Sequence, residues 1–253
     1  MTWTYKFVNH YTFCKEIVEI TFSNIDRFLH TNEGNLIFHD ERMYQLAVIS
    51  SLAISIKILD STRDLDLNNI LVYLSNGLFK VQDIISMEKK ILSSLSWQII
   101  PSTSYSFIYL FIDLLQRKYN NSITMNEQFK QDALLQAEIA VSEINFVGIR
   151  PSAIATASLL NSIQSNDLFT RAQHMFLELF YYCDDDFDSL NETLYHVRIK
   201  LVGLLRNHYD PKEQEQIHQR IYHYNDNNTT IDQQQQQKQT KNEDERITTV
   251  LCD

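Results

Sequence analysis

Apolar residues recur along the chain every three to four positions, the spacing of one helix face after another. Trp3, Phe7 and Tyr11 share a face over residues 1–11, which reads as the end of a helix already in mid-pattern at Met1 and predicts a natural start further upstream. Over residues 15–30 the inward set is Ile17, Val18, Thr21, Phe22, Ile25 and Leu29. "TNEGN" then reads as a turn. "DERMYQLAVISSLAISIKILD", residues 40–60, is apolar almost all round, so this helix is expected at the centre of a bundle, with Asp40 as its N-cap. The polar "STRDLD" leads to a short helix near 66–75, ended by "SNG", and a further helix spans 81–95.

Pro101 cannot continue a helix, and the domain boundary is placed there. A second set of helices is expected at 103–118, 127–145, 151–163, 167–181 and 187–206. Pro151 suits a first helical turn, where its missing N–H costs nothing. Ala153, Ala155 and Ala157 predict a closely packed, central helix. Each half thus has about five helices, the third buried and rich in Ala, Ser and Leu. The predicted architecture is all-α: two tandem five-helix bundles, 1–100 and 101–209. Residues 210–253, which include "DNNTTIDQQQQQKQTKNEDER", hold too few large apolar side chains to offset ordering entropy and are expected to be disordered.

Composition sharpens this picture. The chain has 253 residues, 44% of them hydrophobic, with only 4 Gly and 3 Pro, which favours long helices over tight turns. The net charge of −10 disfavours a nucleic-acid partner, since that affinity comes mainly from Lys and Arg against phosphate. Cys14, Cys183 and Cys252 form no CxxC pair, which argues against a disulfide frame or zinc knuckle and for a reducing compartment. "MTWTYKF" lacks the apolar core of a signal peptide. Apolar stretches are broken short of the ~18 residues a membrane span needs. The expectation is a soluble protein of the nucleus and/or cytoplasm with no membrane partner. No GxGxxG, Walker loop, HExxH or GxSxG is present, so nothing points to an enzyme, a cofactor or a metal. "DDDFD" (184–188) spaces carboxylates like a calcium loop, but Ser189 and Tyr195 replace the Gly and Glu such a loop needs. It reads instead as an acidic helix N-terminus. His218, His223 and the polyglutamine run 233–237 fall in the polar tail.

Two charges break the apolar pattern. Ile84, Met87, Ile91 and Leu95 form the stripe of the 81–95 helix, and Glu88 lies inside it. Lys57 stands near the end of the central helix among Ile54, Ile56 and Ile58. A buried charge needs a partner, so the two are expected to pair. Two roles stay open: an internal structural ion pair, or a pair at a domain edge that grips another protein's backbone.

"NIDRFL" (24–29), "YQLAVISSLAISIKI" (44–58) and "LVYLSNGLFKVQDIISMEKKILSSLSWQIIPST" (71–103) together resemble the cyclin box in order and spacing. "INFVGIRPSAIATASLL" (144–160) is similar to the corresponding helix of a second, C-terminal cyclin fold. The resemblance implies a regulatory subunit rather than an enzyme, with a cyclin-dependent protein kinase as partner. It implies that Lys57 and Glu88 hydrogen-bond the kinase's backbone beside its αC helix. Trp3 and Gln45 match two positions of the family's patch for kinase substrates, but the glutamate usual one turn after that Trp is Lys6 here. Asp26 and Arg27 of "DRFL" take a structural role, and Asp26 lacks the arginine that a segment upstream of Trp3 supplies in the family. "RIKL" (198–201) mimics part of a destruction box, yet falls inside a predicted helix. Alternative readings are a cyclin-fold transcription adaptor, which needs a basic face, and a truncated or degenerate cyclin that activates nothing.

Overall fold

The computed structural model describes residues 2–60, 66–119, 127–163, 166–183 and 187–205, and among them it has eleven α-helices, one 3-10 turn and no strand. The expected disorder of 210–253, residues 184–186 of the calcium-like run 184–188, His218, His223 and the polyglutamine run all lie outside the described residues. The described chain divides into two compact units. One takes in residues up to Leu110 together with Val141–Val147, the other Phe111–Ala140 and the residues from Gly148 on.

The first unit is built around α4 (Glu41–Leu59), which packs against α2 (Glu16–Leu29) and α6 (Val81–Ser94). Asp40 opens α4 as expected: its carboxylate accepts the Met43 N–H at 3.0 Å. Every residue from Leu46 to Ile56 is buried. Among the described helices, α4 is also long and apolar enough to cross a membrane, but its apolar faces are spent on the core of this bundle. Smaller helices complete the unit: α1 (Thr2–His10), α3 (Asn32–Asn35) and α5 (Leu67–Leu74).

The stretch expected as a plain turn is the one-turn helix α3. Thr31 caps it, its hydroxyl accepting the Gly34 N–H at 3.1 Å. Gly34 is demanded by close approach, since a Cβ there would stand 1.9 Å from the Phe28 carbonyl oxygen.

The second unit is organised around α9 (Pro151–Ser162), buried from Ala153 to Ser162, with Pro151 in its first turn. It packs against α11 (Phe187–Leu204) and α10 (Asn166–Cys183). Gln136 of α8 (Glu127–Ser142) reaches α9 too, donating to the Ser162 hydroxyl at 2.9 Å and accepting from Asn161 at 3.1 Å. Helix α8 ends three residues before its expected end, and a 3-10 turn, Ile144–Phe146, follows it.

The start of α7 (Ser104–Lys118) is held by carboxylates from α2. Glu19 accepts the Ser104 N–H at 2.7 Å and the Ser104 hydroxyl at 2.8 Å, and Glu16 accepts from the Thr103 hydroxyl. An anion belongs at a helix N-terminus, where N–H groups lack intrahelical partners. Burial nevertheless pushes the Glu19 carboxyl above its usual range. The bonds from Ser104 and Tyr105 pull it back, and the Glu16 charge adds to the rise. A carboxyl whose pKa is higher folded than unfolded stabilises most in acid, and the contribution is lost as pH rises through the folded pKa. Relative to a Glu19→Gln variant, the wild-type melting temperature should therefore fall as pH rises from about 4, near the ordinary carboxylate value, towards neutrality. Paired thermal melts across that range check this. A wild-type advantage that grows with pH would reverse the sign.

Candidate partner-binding site

Helices α4 and α6 lie side by side, and the Ser50 hydroxyl donates to the Ile84 carbonyl at 3.3 Å to join them. Lys57 follows on α4 and Glu88 on α6, each about two turns or less beyond that joint. The lysine Nζ donates to both carboxylate oxygens of Glu88, at 2.6 and 2.9 Å. Lys57 also sits in the last turn of α4, where the helix dipole favours a cation.

The two partners are not equally reachable. The Lys57 side chain is 45% exposed and that of Glu88 only 10%. The ammonium is thus at the rim, backed by a carboxylate embedded in the apolar stripe of α6. Glu88 lacks the water that would otherwise solvate its charge, so the lysine is its compensation.

Apolar groups flank the pair. Ile58 and Leu92 are half-buried against the core, and Leu92 follows Glu88 by one turn on the same face of α6. Beyond Leu92 the chain leaves α6 through Ser96 and Trp97, both with positive φ (51° and 64°), and the Trp97 N–H donates to the Leu92 carbonyl at 2.9 Å. This turn holds Trp97 outward, and it and Ile100 are each 71% exposed. The periodicity of α4 and α6 does not single out these residues, because both helices are apolar on several sides. The one sequence signal was an aromatic beside a helix-ending proline segment.

Residues 1–100 match the family model for the N-terminal domain of cyclins. Over those residues the chain is similar to the cyclin family. A cyclin-G1 from Sus scrofa is 28% identical over 119 residues, 46% of this chain and 39% of that protein. Cyclin-D2-2 of Oryza sativa subsp. japonica is 26% identical over 167 residues, 65% and 44%. A putative cyclin-D6-1 of Arabidopsis thaliana is 26% identical over 136 residues, 54% and 43%. The aligned stretches thus span about two fifths of the length of these relatives.

Within the matched residues the other sequence-predicted residues are placed differently from Lys57 and Glu88. Trp3 is 39% exposed on α1, and Gln45 is exposed in the second turn of α4, with no hydrogen bond between them. Arg27 does not pair with Asp26; its Nη1 donates to Asn24 Oδ1 at 3.4 Å. Asp26 is exposed, at an open cleft of about 530 Å³ where Asp26, Arg27 and His30 face Ser94, Ser96 and Gln98. In the second unit, "RIKL" is out of reach. Arg198 is fully buried on α11, with Nε donating to Asn161 Oδ1 at 3.0 Å and its guanidinium over the Phe169 ring, and Leu201 is buried as well.

Partial desolvation pushes the Asp26 carboxyl above its usual range, and the His30 charge recovers part of the shift. Its ionised form is therefore held less well in the folded chain than in the unfolded one. Asp26→Asn should leave the melting temperature at neutral pH unchanged or slightly raised. A fall of several degrees would mean that this carboxylate makes a bond the fold relies on.

Proposed function

We propose that this chain is a regulatory subunit that binds a cyclin-dependent protein kinase and favours the kinase's active state, with no catalysis of its own. The observation that carries this reading is the Lys57–Glu88 pair. It is formed within the cyclin domain, at a rim where Lys57 is 45% exposed, beside half-buried Ile58 and Leu92. An internal structural pair has no need of an accessible ammonium; a pair that receives another chain does.

The mechanism follows from protein-kinase chemistry. Phosphoryl transfer requires an ion pair between a strand lysine and a glutamate of the kinase αC helix. A subunit that packs against αC and holds the adjacent main chain favours the inward position of that helix. It acts as a ligand with differential affinity for two states. Shifting a population from 1:99 to 99:1 takes about 5.5 kcal/mol of such preference. One charge-assisted hydrogen bond supplies about 1.5–3 kcal/mol, so the polar grip needs apolar burial beside it. Ile58 and Leu92 are apolar groups at hand. Kinase binding would place the chain in the nucleus and/or cytoplasm, and the exposed Trp3 and Gln45 would serve as a partial docking patch for kinase substrates.

The test is a pull-down from native extract with wild-type chain and a Lys57→Ala/Glu88→Ala variant, alongside circular dichroism of both. Wild type should recover a cyclin-dependent kinase. The variant, with its helical signal intact, should lose it. Retention of the kinase by the folded variant, or unfolding of the variant outright, would make the pair an internal structural feature. Failure of the wild type to recover any kinase would favour a chain that activates none.

A further inference from the structure

We infer a second docking surface, centred on Arg27, that takes a segment of another protein carrying a carboxylate beside a large apolar side chain. It lies in an open cleft of about 510 Å³ lined by Arg27, Trp97, Gln98, Ile99, Ile100 and Pro101. Neither Lys57 nor Glu88 lines it, and it stands apart from the kinase reading.

One buried asparagine builds the cleft. Asn24 of α2 is fully buried, and its Nδ2 donates to the Ile99 carbonyl at 2.9 Å. That bond ties the chain leaving α6 to α2 and so sets Ile100 and Pro101 beside Arg27. Asn24 Oδ1 in turn accepts from Arg27 Nη1 at 3.4 Å. This is long for an N–H···O bond, yet among the described residues it is the one hydrogen bond of the Arg27 guanidinium. A guanidinium carries five N–H donors in a planar fork. Arg27 is half-buried, so it has given up part of its water without gaining protein acceptors in exchange.

Trp97 supplies the apolar anchor. Ser96 and Trp97 have φ of 51° and 64°, a region that side chains enter at a cost glycine avoids. The indole gains little burial in return: Trp97 and Ile100 are each 71% exposed. A strained backbone that holds an aromatic ring in solvent points to a use for that ring outside the fold.

The lining decides the ligand. The cleft holds one cation and one amide, the rest of its wall is apolar, and no anion lines it. A carboxylate matches the guanidinium fork with two parallel hydrogen bonds. An apolar side chain next to that carboxylate covers Trp97 and Ile100. The Gln98 amide offers both donors and an acceptor, which pairs with a peptide group and favours a polypeptide over a lipid acid. The neighbouring cleft of about 530 Å³ shares Arg27 and Gln98 but is also lined by Asp26. That carboxylate opposes the double charge of a phosphate more than a single charge, so the fitting anion is a Glu or Asp side chain.

The experiment is an NMR titration of the full, isotope-labelled chain with capped peptides: acetyl-Gly-Glu-Leu-Gly-amide and the versions with Gln or Lys in place of Glu. Trp3 and Trp97 are the two tryptophans of the chain, so the Trp3 indole cross-peak is an internal control. The Glu peptide should shift the Trp97 indole cross-peak and leave that of Trp3. It should bind at least about tenfold more tightly than the Gln peptide, the low end for one charge-assisted hydrogen bond. Arg27→Gln should erase that preference. If Arg27→Gln melts below the titration temperature, Arg27→Lys, which keeps the charge and loses the fork, replaces it and should reduce the preference. Trp97→Gly, read at the Gln98 side-chain amide, should weaken both peptides alike with Tm unchanged or raised, since glycine accepts the positive φ. The Lys57→Ala/Glu88→Ala variant should bind the Glu peptide as wild type does.

Equal binding of the Glu and Gln peptides, tightest binding of the Lys peptide, or no Trp97 shift at millimolar peptide would overturn the inference. A Tm lowered by several degrees in Trp97→Gly would make the indole part of the fold and overturn its role as anchor. A kinase pull-down that fails while the Glu peptide still binds would count against the kinase reading alone and leave this surface standing.

Discussion

The first unit depends on how α4 is enclosed. A helix buried over eleven consecutive residues, Leu46 to Ile56, must pack on every side and must also satisfy each polar group it takes inside. It does both with small hydroxyl residues. Ser51 donates to the Thr21 carbonyl of α2 at 3.0 Å, and the Thr21 hydroxyl, which donates to the Ile17 carbonyl at 2.6 Å, lies 3.1 Å from the Ser55 hydroxyl. Ser50 bonds α6 on another side. Serines and alanines in the helix let its neighbours approach closely, and the Ser51 and Ser50 bonds tie α4 to α2 and α6 in one register. Lys57 leaves the core on the last turn of this pinned helix, so its position at the rim is inherited from the packing below it.

The second unit meets the same problem differently. Helix α9 is buried from Ala153 to Ser162, and its polar residues join a network with Gln136 and Arg198. A fully buried arginine is a costly core residue, and here it is held by Asn161 and lies over the Phe169 ring. The contrast with Lys57 shows what makes a charge available. Both cations have side-chain contacts, but Arg198 lies inside its bundle, while Lys57 ends where its bundle ends. In sequence, the arginine of "RIKL" and the lysine of "SIKI" look much alike. Only one is exposed.

Much of this was legible beforehand, because helical periodicity is a local property. The positions of α2, α4, α5, α6, α7, α9, α10 and α11 follow from apolar spacing and from caps such as Asp40 and Pro151. The exceptions are short-range effects that spacing does not encode. Gly34 looked like a turn glycine, but a close approach to the Phe28 carbonyl places it in a one-turn helix. The carboxylates of Glu16 and Glu19 that hold the start of α7 lie some eighty residues away in sequence, at separations of 87 and 85 positions. No local pattern announces such a pairing.

By itself the sequence determined that the chain is helical, which helix is central in each half, and that two charges, Lys57 and Glu88, sit where an apolar stripe should be. It required those charges to find partners, because an ion surrounded by isoleucine has no other means of compensation. It also named the two as partners for each other, and the tertiary structure alone decided that one was left at the surface while the other was covered. Exposure is set by where neighbouring helices stop, a property of the packed bundle rather than of either helix.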